Sequence, residues 1–192
     1  MSPIWGLSVT VIGVLTGLIW WLPWGESKDL ACFQTFNRLQ IWAGFDRFFI
    51  FSRTLGTKWA LLFVLGVILL WDVKLGITLC IAALLMAGFE RGIKYLIKRP
   101  RPFMENPEAI LRQNPAPQDP SFPSGDATRV WFILAALLFG IHPTLLWIVL
   151  TAVSVSAVSL GRVRLGVHYP SDVFAGACLG FGFGMIWSSI MM

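Results

Sequence analysis

Long apolar runs, separated by short polar stretches, organise this chain. Crossing the hydrocarbon core takes about 20 helical residues, and the first run, Pro3–Leu22, has that length. Trp20, Trp21 and Trp24 close it like an interfacial anchor. With no basic head and no small-residue cleavage site, it reads as a retained span rather than a secretory leader. Lys28–Phe51 is different. Asp29, Asn37, Arg38, Asp46 and Arg47 alternate there with Phe33, Phe36, Leu39, Trp42, Phe45 and Phe49, which predicts an amphipathic helix on the membrane interface or a loop packed on the bundle. Spans two and three follow at Leu55–Trp71 and Leu75–Tyr95, joined by a turn at Asp72–Lys74. Val130–Leu160 is almost wholly apolar and, at about thirty residues, too long for one crossing. Gly140, His142 and Pro143 mark a turn at its middle, so it predicts a hairpin of spans four and five. Span six is Pro170–Ile190, where Gly176, Gly180, Gly182 and Gly184 point to close helix packing. The predicted fold class is all-α integral membrane: a six-transmembrane-helix bundle with an amphipathic interfacial helix between spans one and two.

Composition agrees with that pattern. Hydrophobic residues make up 56% of the chain and charged residues 13%, against about 25% charged in a soluble domain; the mean hydropathy is +0.72. The length predicts one domain over residues 1–192. Cys32, Cys80 and Cys178 have neither metal-ligand nor redox spacing and read as small apolar side chains. The net charge of +5 comes from basic residues beside the spans, so the expected partner is the lipid bilayer with its anionic head groups, not nucleic acid.

The polar exceptions carry the candidate chemistry. Lys98–Pro123 holds seven of the eleven prolines and reads as an ordered loop over one face. Three basic segments flank it or follow the hairpin: Lys94–Pro102, Phe122–Asp126 and Gly161–Asp172. The first ends span three, the second opens span four, and the third follows span five, so the hairpin brings all three to one membrane face. His142 falls on the opposite face and is assigned no role. Lys94, Lys98 and Arg101 are spaced to line one side of a helix end; Lys98 and Arg99 also read as snorkelling anchors. Ser124-Gly125 opens an apolar helix, either as a cap or as an anion site made of free N–H groups. His168 and Asp172 lie one helical turn apart, close enough for the carboxylate to orient the imidazole. Gripping cations plus an oriented nucleophile suit phosphoryl transfer.

In order and spacing these segments resemble the three motifs of the type 2 phosphatidic acid phosphatase superfamily. Lys94 with Arg101-Pro102 resembles the first, Pro123-Ser124-Gly125 the second, and Arg162, His168 and Asp172 the third. The resemblance implies that Lys94, Arg101, Ser124, Gly125 and Arg162 bind phosphate. It also implies that His168 forms a phosphohistidine, that Asp172 orients it, and that water releases phosphate with no metal and no cofactor. Two positions depart from the motifs: Gly161 stands where Ser is expected, and Asp126 where a His protonates the leaving oxygen. An Asp has an ordinary pKa near 4. Asp126 is therefore a tuned catalytic acid, a mark of a substrate that needs little acid help, or a mark of weak catalysis. A diphosphate expels a better leaving group than an alkoxide, which favours a polyprenyl diphosphate over a lipid monophosphate. The alternatives are a lipid-to-lipid phosphotransferase and a catalytically silent lipid-phosphate binder. The resemblance implies a site outside the cytoplasm, and the small one-domain chain fits a bacterial inner membrane. The positive-inside rule points the other way, since only Lys74 clearly lies opposite the motifs, but several motif-side cations are committed to phosphate.

Overall fold

The computed structural model describes residues 2–141 and 143–191, apart from the side chain of Ala43. His142, placed by sequence at the hairpin tip, lies outside the described residues. Within them the chain is helical and has no strand. Helix α1 (Pro3–Gly17) continues as a 3₁₀ turn to Trp21. Next come α2 (Pro23–Arg38), α3 (Ala43–Ser52), α4 (Lys58–Trp71), α5 (Val73–Ile97) and the short α6 (Pro102–Glu105). The last elements are α7 (Gly125–Ala136), which widens into a π turn at Leu137–Ile141, then α8 (Leu145–Arg164) and α9 (Pro170–Met191).

Local chemistry sets these boundaries. Proline opens α1, α2, α6 and α9, where a missing N–H costs nothing. Thr57 caps α4 through the Ala60 amide, and Asp72 caps α5 through the Leu75 amide at 2.9 Å. The predicted turn at Asp72–Lys74 thus narrows to Asp72 alone. Helix α5 stops where Lys98 turns left-handed, at φ 52°.

Among the described residues four segments, against the six expected, are long and apolar enough to cross a membrane: Pro3–Trp21, Val73–Glu105, Leu145–Arg164 and Pro170–Met191. A fifth arises if Gly44–Gly56 and Lys58–Trp71, bent by 50°, act as one.

Helix α9 is the central strut, packed between α1 and α7. Side chains at Gly176, Gly180 and Gly184 would collide with α7, and one at Gly182 with Gly6 and Thr10 of α1. The close packing expected of these glycines is therefore present. Phe132 and Ala136 of α7, Leu79 and Met86 of α5, and Trp187 of α9 fill the main core cluster.

The stretch Lys28–Phe51 departs from the expected single amphipathic helix. It is two helices broken at Leu39–Trp42, and the face turned into the protein mixes polar Asp29 and Asn37 with apolar Phe33. Asp29 and Asn37 are buried while Trp42 and Phe51 are exposed. Their partners explain the burial of Asp29 and Asn37. Asp29 binds Arg99, and Asn37 bonds both backbone groups of Ile110 and the carbonyl of Arg164. A polar face that can satisfy buried backbone groups is worth more inside than in water.

Candidate active site

The three motif segments meet in one cavity of about 840 Å³, whose wall includes Lys94, Arg101, Gly125, Asp126, Arg162 and His168. Each arrives from a different local structure. Lys94 sits on the last turns of α5 and is buried. Arg101 is not on that helix, as its spacing had predicted, because α5 has ended at Ile97; it caps α6 from an extended segment. The two cations still converge. Asp119, from the proline-rich loop, accepts from Lys94 Nζ at 2.7 Å and Arg101 Nη2 at 2.8 Å. Burial works against charge on Asp119, but Lys94 and Arg101 outweigh it and hold the carboxyl well below the ordinary carboxylate range.

Arg99 corrects the snorkelling reading. The left-handed turn at Lys98 sends the chain inward, so Lys98 stays exposed and Arg99 is buried. Its guanidinium lies 4.0 Å from the Tyr169 ring centroid and 4.5 Å from that of Trp20. It donates to Asp172 Oδ1, Asp29 Oδ2 and Ser171 Oγ, each at 2.7 Å. Arg99 is a clamp on Asp172.

Asp172, on the first turn of α9, is fully buried. Its Oδ2 accepts from Ser121 Oγ at 2.5 Å and Tyr169 N at 2.9 Å, and lies 3.6 Å from His168 Nδ1. That last distance is beyond a hydrogen bond; Ser121 Oγ, 3.4 Å from Nδ1, links the two. On the far side of the ring, Nε2 lies 3.2 Å from Arg101 Nη1. A guanidinium can only donate, so Nε2 is the acceptor nitrogen and the proton sits on Nδ1, toward Asp172. Burial first, and the charge on Arg101 second, push the imidazole down to about 4 against the pull of Asp172. At neutral pH, His168 therefore presents an unprotonated Nε2 to a cluster of cations.

The second segment forms the opposite wall. Ser124 stands at the cap position of α7, yet its side chain caps nothing: Oγ is buried without a partner, while its amide donates to Asp172 O at 2.9 Å. Arg162, at the end of α8, donates from Nη1 to Asp126, and Arg129 donates to the other Asp126 oxygen. Nε and Nη2 of Arg162 are buried and unpartnered. Gly161, beside it, lies against Phe49, which leaves little room for a side chain.

The structure thus brings together Lys94, Arg101, Ser124, Gly125, Asp126, Arg162, His168 and Asp172. Sequence reading missed Arg99, Ser121, Asp119, Arg129 and Glu90. One signal was present: Glu90 is among only three charged residues in the predicted span Leu75–Tyr95. Among the described residues, no three His, Cys, Asp or Glu side chains gather as a metal site.

Comparison with known proteins supplies the context. The PAP2 superfamily profile matches residues 71–192. An undecaprenyl-diphosphatase from Sulfolobus acidocaldarius is 34% identical over 155 residues, covering 79% of this chain and 73% of that protein. Among solved structures, LpxE from Aquifex aeolicus superposes with a TM-score of 0.74 at 26% identity, covering 82% of this chain and 93% of that one. A transmembrane PAP2-type phosphatidylglycerolphosphate phosphatase from Bacillus subtilis reaches 0.82 at 17% identity, over 96% and 94%, a likeness of fold. With all three segments inside the matched residues, the chain belongs to the PAP2 superfamily.

Proposed function

We propose that this protein is a multi-pass membrane phosphatase that hydrolyses a lipid phosphate, with a polyprenyl diphosphate as the favoured substrate and no metal ion. The observation that carries the reading is the pairing of an unprotonated His168 Nε2 with unpartnered buried donors in one cavity. Lys94, Arg101 and Arg162 would grip the phosphoryl oxygens in place of a metal, aided by Ser124 Oγ and the amide at Gly125. His168 Nε2 attacks phosphorus, Asp172 supports the imidazolium that forms, and water then cleaves the phosphohistidine. Asp126 takes the role of holding Arg162 and Arg129 in place, since both of its oxygens are already occupied. The name of the archaeal relative supports a polyprenyl diphosphate, as does the easier departure of phosphate than of an alkoxide.

In this reading residues 1–192 are one phosphatase domain. Helices α1, α4, α5, α7, α8 and α9 are its six spans, α2 and α3 lie at the interface, and the site faces away from the cytoplasm of a bacterial cell. The test is inorganic phosphate release from undecaprenyl diphosphate by pure protein in EDTA. Wild type releases phosphate, and His168→Ala, with an unchanged helical spectrum, releases none. Tight lipid binding without release would establish a silent binder, and release by the Ala variant would remove His168 from the mechanism.

A further inference from the structure

A leaving alkoxide needs a proton, and the cavity holds few groups able to give one. His168 is committed as nucleophile. Asp126 accepts from two guanidinium groups, and Asp119 from Lys94 and Arg101. Tyr95 is an exposed rim residue lying against Arg91. Ser121 gives its proton to Asp172. Glu90 remains. It is a buried carboxyl on α5, one turn before Lys94, and it lines the same cavity as His168. Its oxygens form ion pairs at 3.9 Å with Lys94 Nζ and with Arg129 Nη1, longer than hydrogen bonds. Among the described residues it makes none closer. The carboxyl rests against the start of α7, where any side chain at Gly125 would strike it.

We propose that Glu90 is the catalytic proton donor to the leaving oxygen, an assignment that rests on the phosphatase reading above. The charged groups facing it are Lys94 on its own helix, Arg129 and Asp126 on α7, and Asp119 on the loop. A phosphate dianion bound at Lys94 takes over the cation nearest the carboxyl and sets an anion beside it. The His168 Nε2 lone pair then forms the N–P bond while the P–O bond to the leaving group breaks, and the leaving oxygen takes the Glu90 proton. In the second step a water oxygen attacks phosphorus, its proton passes to the Glu90 carboxylate, and the N–P bond breaks to release phosphate. Both groups return to their starting states.

The test compares a polyprenyl monophosphate, which must expel an alkoxide, with 4-nitrophenyl phosphate, whose leaving group needs no proton. For wild type, kcat/KM for the polyprenyl monophosphate should fall at low pH as His168 protonates, near pH 4, and at high pH as Glu90 loses its proton. Glu90→Gln should lower turnover of the polyprenyl monophosphate by about 10²-fold or more and abolish the basic limb. It should leave the acid limb nearly unchanged, and likewise kcat/KM for the aryl substrate, which reports only the steps through loss of nitrophenolate; the aryl kcat should fall, because the later attack of water loses its base. Glu90→Asp, an acid on a shorter arm, should restore the basic limb at reduced rate. An unchanged helical spectrum and melting temperature show that the Gln variant is folded. Equal losses on both substrates, or an unchanged basic limb, would overturn the assignment while leaving the phosphatase reading intact. No turnover of any substrate by wild type would overturn that reading and the assignment together.

Discussion

The cavity has two walls, each with cations held by a carboxylate, and the carboxylates differ. On the loop wall, Asp119 bridges Lys94 and Arg101 from an irregular, proline-rich segment, and its side chain is 54% exposed. On the helix wall, Asp126 bridges Arg129 and Arg162 from the first turn of α7, and its side chain is 17% exposed. A half-exposed ion pair is worth about 0–1 kcal/mol. A buried pair that loses one partner leaves an uncompensated charge costing about 3–5 kcal/mol. So Asp126 belongs to the framework of the site. In the proposed mechanism Asp119 is a tenant of the phosphate position: it satisfies Lys94 and Arg101 and would be displaced by a phosphoryl group.

Two substitutions sharpen that difference. The larger effect is expected for Asp126→Asn, which strips the counter-charge from Arg162. The variant should melt earlier, and kcat/KM should fall about 10²-fold to a similar extent on lipid monophosphate and diphosphate, because a misplaced Arg162 harms both. A loss confined to the monophosphate would instead make Asp126 the acid. The smaller effect is expected for Asp119→Asn. With its competitor weakened, inorganic phosphate should inhibit roughly 2–5-fold more strongly, in line with the value of an exposed pair, and thermal stability should hardly move. Weaker inhibition by phosphate would show that Asp119 orients the two cations instead of occupying their site.

The same contrast explains what could be read from sequence. The all-helical, apolar character of the chain and the convergence of the three motif segments were legible, because apolar run length and motif spacing are local properties. So were Lys94, Arg101, Arg162, His168 and Asp172, whose spacing survives even though Arg101 lies beyond the end of α5. Their partners were hidden. Ser121 and Asp119 belong to a loop with no periodicity to place them. Arg99 looked like an interfacial cation until the left-handed residue before it turned it inward to Asp29, itself some seventy positions earlier in the chain. The burial of Asp29 and Asn37 was hidden for the same reason. Whether a polar stripe faces water or a buried carbonyl depends on segments far away in sequence, here Ile110 and Arg164.

The most direct measurement is rapid quenching of the wild-type protein during turnover of ³²P-labelled lipid diphosphate at neutral pH in EDTA, followed by alkaline workup and peptide mapping. Phosphorus should appear on the peptide containing His168, in an acid-labile, base-stable bond. It should be absent when His168 is replaced by Ala. Steady turnover with no phosphorylated peptide, or label on any other residue, would contradict the account.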